Sequence, residues 1–344
     1  MKKPAWNPYW LNKNRQRILG RDIDVGKEKL DVSWLRDVVK NKQKTKVLKN
    51  TKQGYQELVD WVLKNTGLEA QNIVITTEPT GIYSEPLMYF LYAQGFTLLH
   101  VNPGKAKQYA KSLGLVHKTD KSDATMLARY GHDQQHSLSS WQPEPVEARE
   151  LKAMMRRLEA LEQDLQREEN RYEAVGFSGA SARVAQSLKD MIAVLKAEID
   201  KLKNEIDEHI DRHPQLKKNR QLLESINGVG EVTSRIMVCL LACKRFKSAK
   251  QLASYLGLIP KHNESGKRAG KTTLSKEGPG YIRAKLYMAA IVAGQHNTDI
   301  KAQKTRLLKQ GKTKMQALGA AMRKLSQICF GVVKNQTEYQ PQVS

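Results

Sequence analysis

The stretch LGRDIDVGKEKLDVSWL, residues 19–35, decides the fold. It predicts a strand from near Leu19 through Asp24 and Val25, then a second over 29–35 in which Leu30, Val32 and Trp34 alternate with polar neighbours. Alternation with period two buries one strand face and leaves the other open. Gly26 is placed to turn the chain between the two. Asp24 then stands at the end of an apolar-flanked strand, where a charge is costly unless it is exposed or coordinated.

Working outward, a strand–helix rhythm follows. Helices are expected over 53–63, with Tyr55, Leu58, Trp61 and Val62 on one side, and over 83–92, 103–113 and 120–130, the last burying Ala124, Leu127 and Ala128. Strands are expected over 73–77 and 96–101. This order predicts an α/β domain with a mixed sheet across 19–135. A hairpin-like pair of strands ahead of the crossovers favours a ribonuclease H-like arrangement. A dinucleotide fold would need a Gly-x-Gly-x-x-Gly loop, which the chain lacks.

Residues 1–18 read as a basic arm and 136–146, with Ser, Pro and Gln, as a linker. Over 147–214 the texture becomes helical. Leu151, Met154, Leu158, Leu161, Leu165 and Tyr172, then Leu188, Ile192, Leu195, Ile199, Leu202 and Ile206, make a heptad-like stripe broken at 176–179. A helical pair within one chain and a coiled-coil dimer arm both satisfy it. A mostly α-helical C-terminal domain is expected over 220–330, with two helices after its glycine-rich stretch, and a flexible tail over 331–344.

The 344 residues carry 58 Lys plus Arg against 35 Asp plus Glu, a net charge of +23. Such a field captures polyanions, which makes nucleic acid the expected partner. Residues 244–276 hold nine basic residues and one acid, Glu264, and 301–324 hold eight basic residues and no acid. No stretch has the length and apolarity of a membrane span or a signal peptide. Three cysteines, Cys239, Cys243 and Cys329, supply no disulfide framework, and a cytoplasmic setting is expected.

Four acids are candidate metal ligands: Asp24, Glu78 at the end of a strand, and Asp120 with Asp123, three apart on one helix face. Converging carboxylates repel one another unless a cation joins them, and hard oxygen donors suit Mg²⁺ or Mn²⁺. Each acid also has a plainer use: Asp120 can cap its helix, and Asp22 or Asp31 can stand in for Asp24.

Asn227-Gly-Val-Gly230 between two helices resembles a helix–hairpin–helix element, whose backbone N–H groups at Gly228 and Gly230 suit DNA phosphate. Ser265 lies in a basic loop with Lys267, Arg268 and Lys271 placed to clamp a phosphate. Ser275, followed by Lys276, competes with it as nucleophile, and Arg283 on the next helix meets phosphate or solvent.

Taken together, DIDVGK at 22–27, TEPTGIY at 77–83, KTDKSDA at 118–124, INGVG at 226–230, SGKR at 265–268 and LSKEG at 274–278 resemble the bridge-RNA-guided insertion-sequence transposases, relatives of the Piv invertase. The resemblance implies a RuvC-like domain whose Asp-Glu-Asp-Asp set falls on Asp24, Glu78, Asp120 and Asp123 and binds Mg²⁺. It implies Ser265 as a nucleophile that attaches covalently to DNA. It also implies a structured noncoding guide RNA, and a homodimer assembling to a tetramer. Two other function classes use the same residues differently. A Mg²⁺-dependent junction nuclease would attack with water, and a non-catalytic basic protein would only bind nucleic acid.

Overall fold

The structure, a computed structural model, describes residues 21–37, 42–77, 83–114, 120–134, 138, 140–179, 181–261 and 272–342. The chain forms two compact units, residues 1–143 and 144–344.

In the first unit, β1 (Arg21–Val25) and β2 (Lys29–Asp37) form the expected antiparallel pair, with Ile23 opposite Val32 and Val25 opposite Leu30. Gly26 N–H donates to the Lys29 carbonyl across the turn at 2.9 Å. A further strand, β3 (Lys42–Lys49), pairs with β2. The sequence reading missed it, because Leu48 is its one buried residue and lysines fill much of the rest. That composition belongs to a sheet edge, where charge discourages pairing with another chain.

After α1 (Lys52–Thr66) come β4 (Val74–Thr77), α2 (Glu85–Ala93), β5 (Thr97–His100), α3 (Pro103–Ser112) and α4 (Asp120–Gln134). The sheet order is β3-β2-β1-β4-β5, with β1, β4 and β5 parallel. Helices α1 and α2 cover one face. Leu58, Val62, Leu87 and Leu91 pack there on Ile23, Leu30, Val32, Ile75 and Leu98. Helix α4 packs against β1, β2 and β4. It comes so close that a Cβ on Gly131 would collide with the Thr76 side chain. The stretch expected as a linker is partly docked: Ser140 bridges to Leu99, and Trp141 lies edge-on to Tyr89 and Tyr92.

The second unit opens with α5 (Val146–Ser178) and α6 (Ala182–Arg212). They run antiparallel within one chain, as His209 Nε2 to the Glu147 carbonyl (2.9 Å) and Lys196 to Glu169 (3.0 Å) require. Helix α5 continues to Ser178 and ends at Gly179, within the expected break at 176–179. The hairpin does not form a separate core. Leu151, Leu158, Leu161, Ile199, Ile206 and Ile210 join one cluster with the helices that follow.

Those helices are α7 (Pro214–Glu224), α8 (Glu231–Cys243), α9 (Ala249–Tyr255), α10 (Gly280–His296), α11 (Thr298–Lys309) and α12 (Lys314–Asn335). A small hairpin, β6 (Pro260–Lys261) with β7 (Thr273–Leu274), precedes α10. Three helices rather than two follow the glycine-rich stretch. Residues 331–335 are the end of α12, so the tail begins later than expected. It is also strapped down. Tyr339 N–H donates to Ser225 Oγ at 2.9 Å, and its hydroxyl donates to Asp299 at 2.8 Å. Arg235, with a side chain 8% exposed, forks onto Asp207 at 2.7 and 2.5 Å and ties α8 to α6. That pairing raises its pKa.

Candidate active site and nucleic-acid interface

Ile23 and Val25 belong to the core beneath α1 and α2. Strand alternation therefore puts position 24 on the opposite sheet face, in register with Asp31 of β2. The parallel rungs between β1 and β4 are Asp22 with Thr76 and Ile23 with Thr77. Among the described residues they reach Ile23 and Thr77, the residues before Asp24 and Glu78 in the chain. Glu78 lies outside the described residues, and the Asp24, Asp120 and Asp123 side chains are not described. Asp120 and Asp123 occupy the first turn of α4, which is held to β4 through Gly131 and Thr76. Among the described residues, no three His, Cys, Asp or Glu side chains form a metal-binding group.

At the other end of α4 sits a polar cluster that sequence reasoning missed. Asp133 accepts a hydrogen bond from the Tyr109 hydroxyl and contacts His132 Nδ1 at 3.0 Å. Burial pushes the Asp133 pKa up. Hydrogen bonds from His132 and Tyr109, with the charges of His132 and Arg129, outweigh burial and hold it below the usual range. No local pattern marks this cluster, because Tyr109 and Asp133 meet only once α3 packs on α4.

In the glycine turn, the two glycines do different things. Gly228 has φ +101°, and a Cβ there would lie 2.6 Å from the Ala293 Cα of α10. Its glycine identity is thus explained by packing. Gly230 caps α8: its carbonyl accepts from Thr233 and Ser234 N–H at 3.0 and 2.9 Å, and among the described residues nothing lies within 4 Å of its Cβ position.

Ser265, Lys267, Arg268 and Lys271 lie outside the described residues. Ser275 N–H donates to the Ile259 carbonyl at 2.9 Å, and its Oγ is buried with no hydrogen-bond partner among the described residues. Lys276 is exposed and left-handed (φ +55°). Arg283, expected at phosphate or in solvent, has a third role. Its Nη1 donates to the Gly278 carbonyl at 2.9 Å and the Leu256 carbonyl at 3.3 Å, fastening both sides of the β6–β7 neck.

Not every cation of 244–276 is free for DNA. Lys244 lies over the Tyr255 ring at 5.1 Å, and burial lowers its pKa. The cysteines are free thiols, and burial pushes Cys329 up to about 12.

Two family descriptions match the chain. A DEDD transposase of the IS110 type matches residues 22–175, and the "Transposase IS116/IS110/IS902 family" matches residues 220–305. The pilin gene-inverting protein of Moraxella bovis is 31% identical over 325 residues, covering 93% of this chain and 97% of that protein. The chain belongs to the IS116/IS110/IS902 transposase family. The Moraxella lacunata gene-inverting protein matches to the same extent. A probable family 20 transposase of Pseudomonas aeruginosa is 24% identical over 160 residues, 45% of this chain.

The transposase is therefore a DNA-recombining enzyme with a RuvC-like mixed α/β domain and a mostly α-helical remainder. At the family level, its DEDD domain implies metal dependence. Among the described residues no helix is long and apolar enough to cross a membrane.

Proposed function

We propose that this transposase breaks DNA by metal-dependent phosphoryl transfer, with Asp24, Glu78, Asp120 and Asp123 as the ligand set. The observation that carries this reading is the parallel pairing of β1 with β4, whose described rungs include Ile23 with Thr77, the residues that precede Asp24 and Glu78 in the chain. One inter-strand spacing and two chain steps bound the Cα separation of residues so connected at about 12 Å. The α4 first turn, with Asp120 and Asp123, belongs to a helix that packs on the same strands. Four hard carboxylates fit Mg²⁺ or Mn²⁺. Bound there, the ion would supply the charge neutralisation that phosphodiester cleavage requires.

The test is Asp24→Asn, Glu78→Gln, Asp120→Asn and Asp123→Asn in the full chain. Each is expected to slow strand cleavage at least about 100-fold while duplex binding persists, and a chelator is expected to do the same. Full cleavage by Asp24→Asn would sink the proposal.

Water attack at these carboxylates needs only the domain that the DEDD match covers, and it is the primary reading. Covalent attack by Ser265 is a second proposal, favoured by one fact. The Moraxella relatives are named as gene-inverting proteins. Inversion leaves the number of phosphodiester bonds unchanged, which a covalent link conserves and hydrolysis does not. Ser265→Ala that recombines normally removes it. Guidance by a structured noncoding RNA is proposed on the resemblance and tested by sequencing any RNA that co-purifies. Self-association into a dimer and then a tetramer is supported by the exposed apolar residues Phe177, Val184, Met191 and Val194 on α5 and α6. A mass measurement in solution checks it.

A further inference from the structure

Of the eight basic residues of 301–324, three are half-buried and five, including Lys312 and Lys314 beyond α11, are exposed. Lys304 is half-buried along α10, where a Cβ on Gly294 would lie 3.3 Å from its Nζ, and Arg323 and Lys324 are half-buried on α12. Lys301, Arg306 and Lys309 are exposed on α11 and have no acidic partner among the described residues. With Thr298, Ala302 and Thr305 they recur at helical spacing and line one shallow depression. The acid of this helix, Asp299, is buried and engaged by Tyr339 and Gln342. The outer face therefore carries three cations, two hydroxyls and no carboxylate.

We propose that this face of α11 binds the phosphodiester backbone of duplex DNA without reading its sequence. The proposal rests on the DNA-acting reading of the chain and adds to it a surface in the α-helical unit. From Lys301 to Lys309 the helix rises about 12 Å. That covers three to four base-pair steps, at about 3.4 Å of duplex axis each. Lys, Arg and Thr are phosphate-contacting side chains, and they position a duplex rather than specify it. Ala302, small and central, lets a backbone approach.

The face has no aromatic ring on which single-stranded bases would stack. Leu308 of α11 is 39% exposed but does not line the depression, whose one apolar residue is Ala302, too small to enter a lipid surface. The glycine turn adjoins the start of α11, since Asn227 Nδ2 donates to the His296 carbonyl at 3.4 Å. A duplex on α11 would thus run beside the exposed Gly230.

The experiment measures binding of the full chain to a short duplex of arbitrary sequence across a salt series. The unsubstituted protein is compared with Lys301→Ala/Arg306→Ala/Lys309→Ala. Each lost phosphate contact should flatten the log–log salt slope by about 0.9, so the triple variant should lose about 2.7. Its affinity at low salt should fall at least about tenfold. Lys301→Gln and Lys309→Gln, each expected to lose about 0.9, keep the test sound if the triple variant folds poorly.

An unchanged slope on duplex DNA overturns the proposal, and so does a loss confined to an A-form RNA duplex or to single strands. Failure of the unsubstituted protein to bind duplex DNA would instead bring down the DNA-acting reading, and this surface with it.

Discussion

Gly228→Ala separates packing from ligand binding in the glycine turn. At φ +101° an L-residue loses about 1–2 kcal/mol. The new methyl would also lie 2.6 Å from the Ala293 Cα, a backbone atom that cannot swing away. Overpacking of that kind costs typically about 1–3 kcal/mol. The two together predict a loss of about 2–5 kcal/mol, a large fraction of the roughly 5–15 kcal/mol that holds a domain folded.

Gly230→Ala is the internal control. Its φ is −100° and nothing among the described residues lies within 4 Å, so only the capping preference is lost, at about 0.5 kcal/mol. Urea denaturation followed by circular dichroism gives both numbers, and duplex binding by the Gly230 variant reports on the turn's amides. If Gly228→Ala unfolds at the same urea concentration as the parent, or the two variants lose equal stability, the packing account is wrong.

Two further outcomes follow from the geometry. Arg283→Met should lower stability by about 1–3 kcal/mol, because Nη1 no longer joins the Leu256 and Gly278 carbonyls, while the salt slope of DNA binding stays unchanged. Arg283→Lys should recover part of that loss. A slope flattened by about 0.9 would instead make Arg283 a phosphate contact. The depressed Asp133 pKa gives a sign for pH: its stabilisation is full above the ordinary Asp value of about 3.9 and disappears as pH falls through the lower folded value. Asp133→Asn should therefore be less stable than the parent near neutrality, and the gap should close in acid. A gap that widens in acid would refute the assignment.

Much of the fold was legible because it is local. The alternation of Leu30, Val32 and Trp34 foretold β2, and the heptad-like stripe foretold α5 and α6. β3 was not legible. An edge strand that buries Leu48 and carries lysines has no periodic signature, and its partner strand supplies its order. The strapped tail was missed for a similar reason: Tyr339 is held by Ser225 and Asp299, far away in the chain. For the candidate site, residue types and spacing nominated Asp24, Glu78, Asp120 and Asp123. Nothing local could reveal that Arg283 fastens a neck, or that Lys304 lies along α10 while Lys301 faces water.

By itself, the sequence determined a polyanion-seeking charge, the acids available to a cation, and most strand and helix segments. These depend on composition and on neighbours a few residues apart. Only the tertiary structure decided that β1 runs parallel to β4 and that Gly228 is pressed on Ala293. It alone singled out one face of α11 as cationic. Those outcomes depend on contacts between segments distant in the chain, where burial and steric fit are settled by the partner surface rather than by the residue's own neighbours.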